Sequence, residues 1–267
     1  MLQAAVCLAA AFLGSSVWAG SSARREAPSY SASSVVNAAS STADQLAPNT
    51  IATIYGKNLA FDTRTLQASD ISGAVLPITL AGVHVLVQNE PAPLLYVSPA
   101  QINFVLPSNL QCGTCKVQVT IDGQAGPAVN VALRAAAPAL FVFPYTTTAI
   151  ASRQQDYSVC SDDQPCQPGD GVILWVTGLG RTNPPAEYGK IATAAAYVAN
   201  AGSFRILLNG TAVDPSKVLY AGLAPGFAGF YQINLMLPES VADKAEIRIA
   251  VGDDVSPAGV QLPVRHR

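Results

Sequence analysis

Apolar residues recur at every second position in short runs along this chain. "TIATIY" (50–55), "VHVLV" (83–87), "KVQVTI" (116–121) and "VNVAL" (129–133) alternate or are dense in β-branched residues. "GVILWV" (171–176), "FRILL" (204–208), "YQINLML" (231–237) and "AEIRIAV" (245–251) continue the pattern. Each run is bounded by Gly, Pro, Asn or Asp, the signature of strands separated by turns. Only "KIATAAAYVAN" (190–200) reads as helix-compatible, and it serves equally well as a loop. Short strands at this spacing predict an all-β sandwich or barrel and not an α/β sheet.

Three blocks occur twice in the same order. "APNTIATIYGKNLA" (47–60) aligns with "QPGDGVILWVTGLG" (167–180), and "LLYVSPAQINFVLP" (94–107) with "VLYAGLAPGFAGFYQINLMLP" (218–238). "VQVTIDGQAGPA" (117–128) aligns with "IRIAVGDDVSPA" (247–258). Each copy is about one immunoglobulin-like sandwich in length. The expected organisation is two tandem sandwiches, residues 33–140 and 141–267, meeting near "APALFVFPY" (137–145). The second copy carries seven extra residues between the shared Tyr and the shared Gln, and these bring in aromatic rings.

The blocks "APNTIATIYGKNLA", "PAPLLYVSPAQINFVLP", "PGDGVILWVTGLG" and "YAGLAPGFAGFYQINLMLP" resemble an uncharacterised C-terminal domain family of secreted Acidobacteria proteins such as those of Solibacter. They are also similar to IPT/TIG-type immunoglobulin-like repeats, in which "APNTIATIYGKNLA" corresponds to the opening strand and turn. The resemblance covers about Ser33 to Val264 and implies a fold and an exported location. It implies no activity.

The N-terminus supports export. Residues 1–19, "MLQAAVCLAAAFLGSSVWA", hold no charge, and their apolar run is too short to span a bilayer. Val17-Trp18-Ala19 suits a signal peptidase, so cleavage after Ala19 is expected, followed by a mobile Ser-rich linker over 20–32. No later stretch is long enough to cross a membrane, so the mature chain is expected outside the cytoplasm: extracellular, periplasmic or at the cell surface. Half of the residues are hydrophobic and 12% are charged, with a net charge of −2. That balance offers no basic footprint for nucleic acid or for an anionic membrane.

An even number of cysteines in an exported chain predicts disulfides among Cys112, Cys115, Cys160 and Cys166. Three pairings are possible; proximity favours Cys112–Cys115 and Cys160–Cys166. A redox role for "CGTC" would need the first thiol at a helix N-terminus, and here a strand pattern follows. A four-cysteine zinc site is disfavoured by an oxidising compartment.

Catalytic sets are sparse. A Ser–His–acid triad needs an imidazole beside the nucleophile, but His84 faces away from its valine neighbours and His266 lies at the chain end. Paired carboxylates for glycoside hydrolysis have two visible doublets, Asp162-Asp163 and Asp253-Asp254, both in turn sequences. A loose calcium site at Asp162, Asp163 or Asp170 is a further reading, without the ladder of an EF-hand loop. "TGLG" (177–180) lacks the lysine of a phosphate loop, so Gly178 and Gly180 read as turn residues. "NGT" (209–211) reads as a hairpin turn, like "QNE" in the first copy.

The aromatic insert is the best binding candidate: Phe227, Phe230 and Tyr231 form a possible recognition loop. The competing reading is that these rings cap the sandwich or pack on the first copy. Alternation puts Tyr231, Ile233 and Leu235 on one face and Phe230, Gln232 and Asn234 on the other. The repeated Gln-Ile-Asn reads as scaffold. Trp175 is expected in the core. The functional expectation is a non-catalytic structural, adhesive or interaction protein without cofactor or metal, engaging a surface or matrix component, protein or polysaccharide. A carbohydrate-binding module and a carboxylate hydrolase at the junction are the alternatives.

Overall fold

The computed structural model describes residues 26–111, 113–227 and 229–266. The expected signal segment and Cys112 lie outside these. The fold is all-β and immunoglobulin-like, with antiparallel pairing throughout the sheets. Helical structure among the described residues is limited to 3-10 turns of three residues each. Residues 191–195 are irregular, and the Ala196–Val198 strand follows them. The alanine-rich run is therefore a loop leading into a strand, because its last residues pair with Leu223 and Gly222.

In the first half, one sheet runs Val35–Asn37, Ile51–Tyr55, Gln101–Val105, Leu94–Val97, Arg64–Thr65. The opposing sheet runs Val129–Leu133, Gly113–Ile121, Val83–Val87, Glu90–Pro91. In the second half the same plan recurs, with Gly171–Thr177, Tyr231–Met236 and Val218–Leu223 adjacent in one sheet. Phe204–Leu208 pairs with Ile247–Val251 in the other. Alternation decides which side chains go inward. Val83, Val85 and Val87 are fully buried while His84 and Leu86 between them are not. Ile54, Leu94, Ile102 and Phe104 meet Val117, Val119 and Ile121 in one core. Leu174, Val176, Ile233 and Leu235 meet Ile206, Ile247 and Ile249 in a second.

The duplication is visible in register as well as in order. Tyr96 stands opposite Asn103 after an irregularity at Leu94, and Tyr220 stands opposite Asn234 after one at Val218. Gln101 Nε2 donates to Asn103 Oδ1 at 2.9 Å, and Gln232 Nε2 donates to Asn234 Oδ1 at 3.1 Å. Thr53 Oγ1 adds a bond to Asn103 at 3.0 Å. Hence the shared Gln-Ile-Asn buries its Ile and links its two amides on the outer side, the same corner in both copies. The "NGT" and "QNE" stretches also fold alike: Asn209 (φ 47°) and Gly210 (φ 80°) match Gln88 (φ 52°) and Asn89 (φ 67°) as left-handed hairpin turns.

Three expectations are corrected. The linker is ordered from Ser29, which pairs with Lys57 through two backbone bonds of 2.9 Å. Tyr30 then donates to the Pro127 carbonyl at 2.6 Å and accepts from the Val119 amide at 2.7 Å. Polar composition had hidden one docking aromatic. Second, Cys160 and Cys166 form a disulfide, whereas Cys115 is a free, buried thiol. Its strand turns Cys115 inward with Val117 and Val119, and burial raises its pKa. Its expected partner Cys112 lies outside the described residues. Third, Trp175 is not a core residue. Its neighbours Leu174 and Val176 take the inward positions, leaving the indole half-buried on the outer face.

Candidate recognition surface

The outer face of the second copy's larger sheet collects the aromatic residues. Trp175 stands opposite Gln232, which stands opposite Gly222, which stands opposite Tyr197 in the next strand. The indole Nε1 donates to Ser152 Oγ at 3.4 Å, so the ring leans along the sheet toward the neighbouring row. Phe230 projects outward because Tyr231, the next residue, points inward. Phe227 sits at the tip of the insert and is 51% exposed. Phe141 arrives on a short segment whose amide donates to the Trp175 carbonyl at 3.0 Å.

Together these rings form one cluster. Centroids are 4.9 Å apart for Phe141–Phe230, 5.4 Å for Trp175–Phe227, 6.2 Å for Phe227–Phe230 and 6.5 Å for Trp175–Phe230. These are tilted or edge-to-face geometries, each favourable by about 0.5–1.5 kcal/mol beyond burial. The loop that presents Phe227 is anchored at its far end. Gly229 (φ 67°) lies so close to the first copy that a Cβ there would stand 2.7 Å from Ile51 Cγ1. Its carbonyl accepts from Thr177 Oγ1 at 3.2 Å.

Tyr231 is corrected out of the surface set. It is fully buried, and its hydroxyl donates to the Gly180 carbonyl. Burial pushes its phenol pKa well up, against a smaller opposing effect of the Asn49 side chain. Within the insert Tyr231 and Gly229 pack, and Phe227 and Phe230 face out. Gly178 and Gly180, both with positive φ, turn the chain just before this contact.

Beside the rings lie polar groups with spare capacity. Gln232 uses one amide hydrogen on Asn234, and among the described contacts its oxygen and the Asn234 nitrogen take no protein partner. Further along the same strands, past Ile173 and Asn234, an open cleft of about 680 Å³ lies beside Gly171 and Met236. Arg153, Gln154, Gln155, Gln167 and Asp170 also line it. Arg153 is held by the Pro165 carbonyl at 2.7 Å, by Ser158 Oγ at 3.1 Å and by Asp170 at 3.7 Å. Gln154 Nε2 donates to the Val172 carbonyl at 3.0 Å, and Asp170 accepts from the Gln167 amide at 2.8 Å. Sequence reasoning missed this cleft. Its only trace is the adjacency of "RQQ" to a strand end and of "QPG" to Cys166.

The other candidate residues are dispersed. His84 contacts Thr79 Oγ1, and His266 pairs with Asp243 at 2.7 Å, which holds that carboxyl below its usual range. Asp162 pairs with Lys244 at 3.0 Å and Asp254 with Arg134 at 3.1 Å. Asp253 lies in a hairpin turn. Among the described residues no three His, Cys, Asp or Glu side chains gather as metal ligands would.

Residues 34–134 match the family model of the IPT/TIG domain. That stretch is the first copy of the repeat. No curated protein matches the sequence. Among solved structures, the chain is similar to the surface glycan-binding protein PbSGBP-B from Prevotella bryantii. Identity is 11% and the TM-score 0.28, covering 81% of this chain and 37% of that one. A Bacteroides ovatus SGBP-B, solved with a mixed-linkage heptasaccharide, gives 11% and 0.31, covering 84% and 43%. Domains 5–6 of the S-layer protein SbsC give 11% and 0.27, covering 88% and 98%. This chain spans less than half the length of either glycan-binding protein.

Proposed function

We propose that this is an exported, non-catalytic recognition protein built of two sandwich modules, residues 33–140 and 141–267. In this reading it engages a surface or matrix component through the outer face of the second module. The observation that carries the proposal is Phe227. It is half exposed and backed by Trp175 and Phe230, on a loop tethered by Gly229 and Thr177. A rigid aromatic anchor loses little conformational entropy on contact, which is what binding surfaces select. In the first copy the position aligned with Trp175 is Tyr55, and the insert is missing, so the feature belongs to the second copy alone. The Cys160–Cys166 bridge fits an oxidising compartment. Among the described residues no helix is long and apolar enough to cross a membrane. Binding is favoured over hydrolysis because Asp162, Asp170 and Asp254 each face a basic side chain.

The test places a photo-crosslinking amino acid at 227 in one variant and at the exposed Ile78 of the first copy in another. Both are incubated with envelope and medium fractions of the source organism. Adducts at 227 and not at 78 are expected. Equal or absent labelling at both positions would overturn the assignment of this face.

A further inference from the structure

We infer that the face just described binds a neutral oligosaccharide chain. The ligand would run from the Phe227–Trp175–Phe230 cluster over Gln232 and Asn234 to the cleft beside Arg153, Gln155 and Gln167. This rests on the recognition reading above and adds the ligand's class and path.

Charge comes first. The strands and loop forming the face, residues 171–180 and 218–238, contain no Asp, Glu, Lys, Arg or His. In the cleft, the one guanidinium and the one carboxylate face each other, and the guanidinium is further occupied by the Pro165 carbonyl and Ser158. Among the described residues that line this path, no ionic group without a partner awaits a phosphate, an acidic chain or a basic peptide. A partner recognised here is uncharged.

The groups that remain select among neutral partners. A pyranose ring offers apolar C–H faces together with hydroxyls that both donate and accept. Aromatic rings complement the first, and primary amides, with an oxygen acceptor and an NH₂ donor fixed in one plane, complement the second. Gln232 and Asn234 are partly buried, stand opposite Trp175 and Ile173, and keep an acceptor and a donor free. Gln155 and Gln167 repeat that chemistry in the cleft. An apolar peptide or lipid would leave these amides desolvated and unpaired.

Reach then argues for a chain over a single sugar. Trp175 and Gly171 are four residues apart on one strand, about 13 Å at the usual rise. Rings stand at one end of that track, amides in the middle and an open cleft at the other.

The test uses the full mature chain and named probes: insoluble cellulose and chitin, soluble mixed-linkage β-glucan, arabinoxylan and amylose, with polygalacturonate as the charged control. Retention on at least one neutral polysaccharide is expected, with little change between low and high salt. Phe227→Ala, whose side chain is exposed, should weaken it at least tenfold with unchanged circular dichroism. Gln155→Ala, at the far end, should reduce affinity for long oligosaccharides and leave short ones unaffected. Three results would overturn the inference: no retention on any neutral probe, retention on polygalacturonate alone, or retention indifferent to Phe227→Ala. Protein adducts at position 227 with no polysaccharide retention would reject the glycan and leave the recognition face standing. No adducts and no retention would reject both.

Discussion

Thr177 Oγ1 accepts the backbone amide of Ile51 at 2.9 Å, so a side chain of the second copy completes a strand of the first. The same hydroxyl donates to the Gly229 carbonyl, and Asn37 Nδ2 donates to the Ala137 carbonyl at 3.1 Å nearby. Thr177 and Asn37 are fully buried. Polar bonds shielded from water at a junction fix orientation, because breaking them leaves groups with nothing else to bond. Thr177→Val keeps the shape and removes the hydroxyl. It should lower stability by about 1–3 kcal/mol in urea denaturation. The amide of Ile51 should also exchange hydrogen faster.

Gly229→Ala tests the anchoring of the aromatic loop. The new methyl meets Ile51 and Val105 side chains within 3.0 Å and occupies a left-handed backbone. Strain of this kind costs about 1–3 kcal/mol. The expected result is a lower melting temperature with a shift in Trp175 emission, since Phe227 and Phe230 must move with the loop. Unchanged emission would mean that the loop is not held by this contact.

The buried phenol of Tyr231 predicts an alkaline limit. Its pKa is raised by burial above the ordinary tyrosine value of about 10, so the folded chain keeps the proton that the unfolded chain loses. This contribution is intact below about pH 10 and is lost as pH rises toward the folded value, by about 1.4 kcal/mol per unit. Tyr231→Phe should be less stable at neutral pH, because the Gly180 carbonyl loses its donor. It should also show a shallower decline above pH 10 in denaturation curves at stepped pH. Parallel curves would refute the assignment.

Reduction of Cys160–Cys166 should matter modestly. The bridge closes a loop with a sequence separation of 6, for which chain entropy gives about 2 kcal/mol. Cys160→Ala with Cys166→Ala should lower stability by about that much. It should also loosen Pro165 and Gln167, which line the cleft. A proteolysis rate at 161–165 reads the loosening directly.

The strands were legible because one face of each is wet. Val83–Val87, Val129–Leu133 and Phe204–Leu208 occupy the residues whose alternation marks them. Trp175 was misread for the complementary reason. Its outward positions are apolar like its inward ones, with Ile173 buried although it faces outward, so the sequence does not tell the two faces apart. That Gln-Ile-Asn forms the same corner in both copies was legible from its repetition, whereas the amide link within it was not. The cleft was not legible, since Arg153, Gln167 and Met236 are assembled by pairing and a disulfide loop, which leave no local pattern. Nor was the Gly229–Ile51 approach, a contact between distant parts of the chain.

Tyr30 has a further consequence for how one sheet of the first copy is closed. Pro28 and Tyr30 lie against Gly126, where an added Cβ would come within 2.9 Å of both. The tyrosine hydroxyl also occupies the Val119 amide, in the gap that the Gly113–Ile121 strand leaves between its partners Val129–Leu133 and Gln124–Ala125. Residues 28–30 therefore act as a plug in that gap, and a chain trimmed to begin at Ser33 would leave the Val119 amide without this partner.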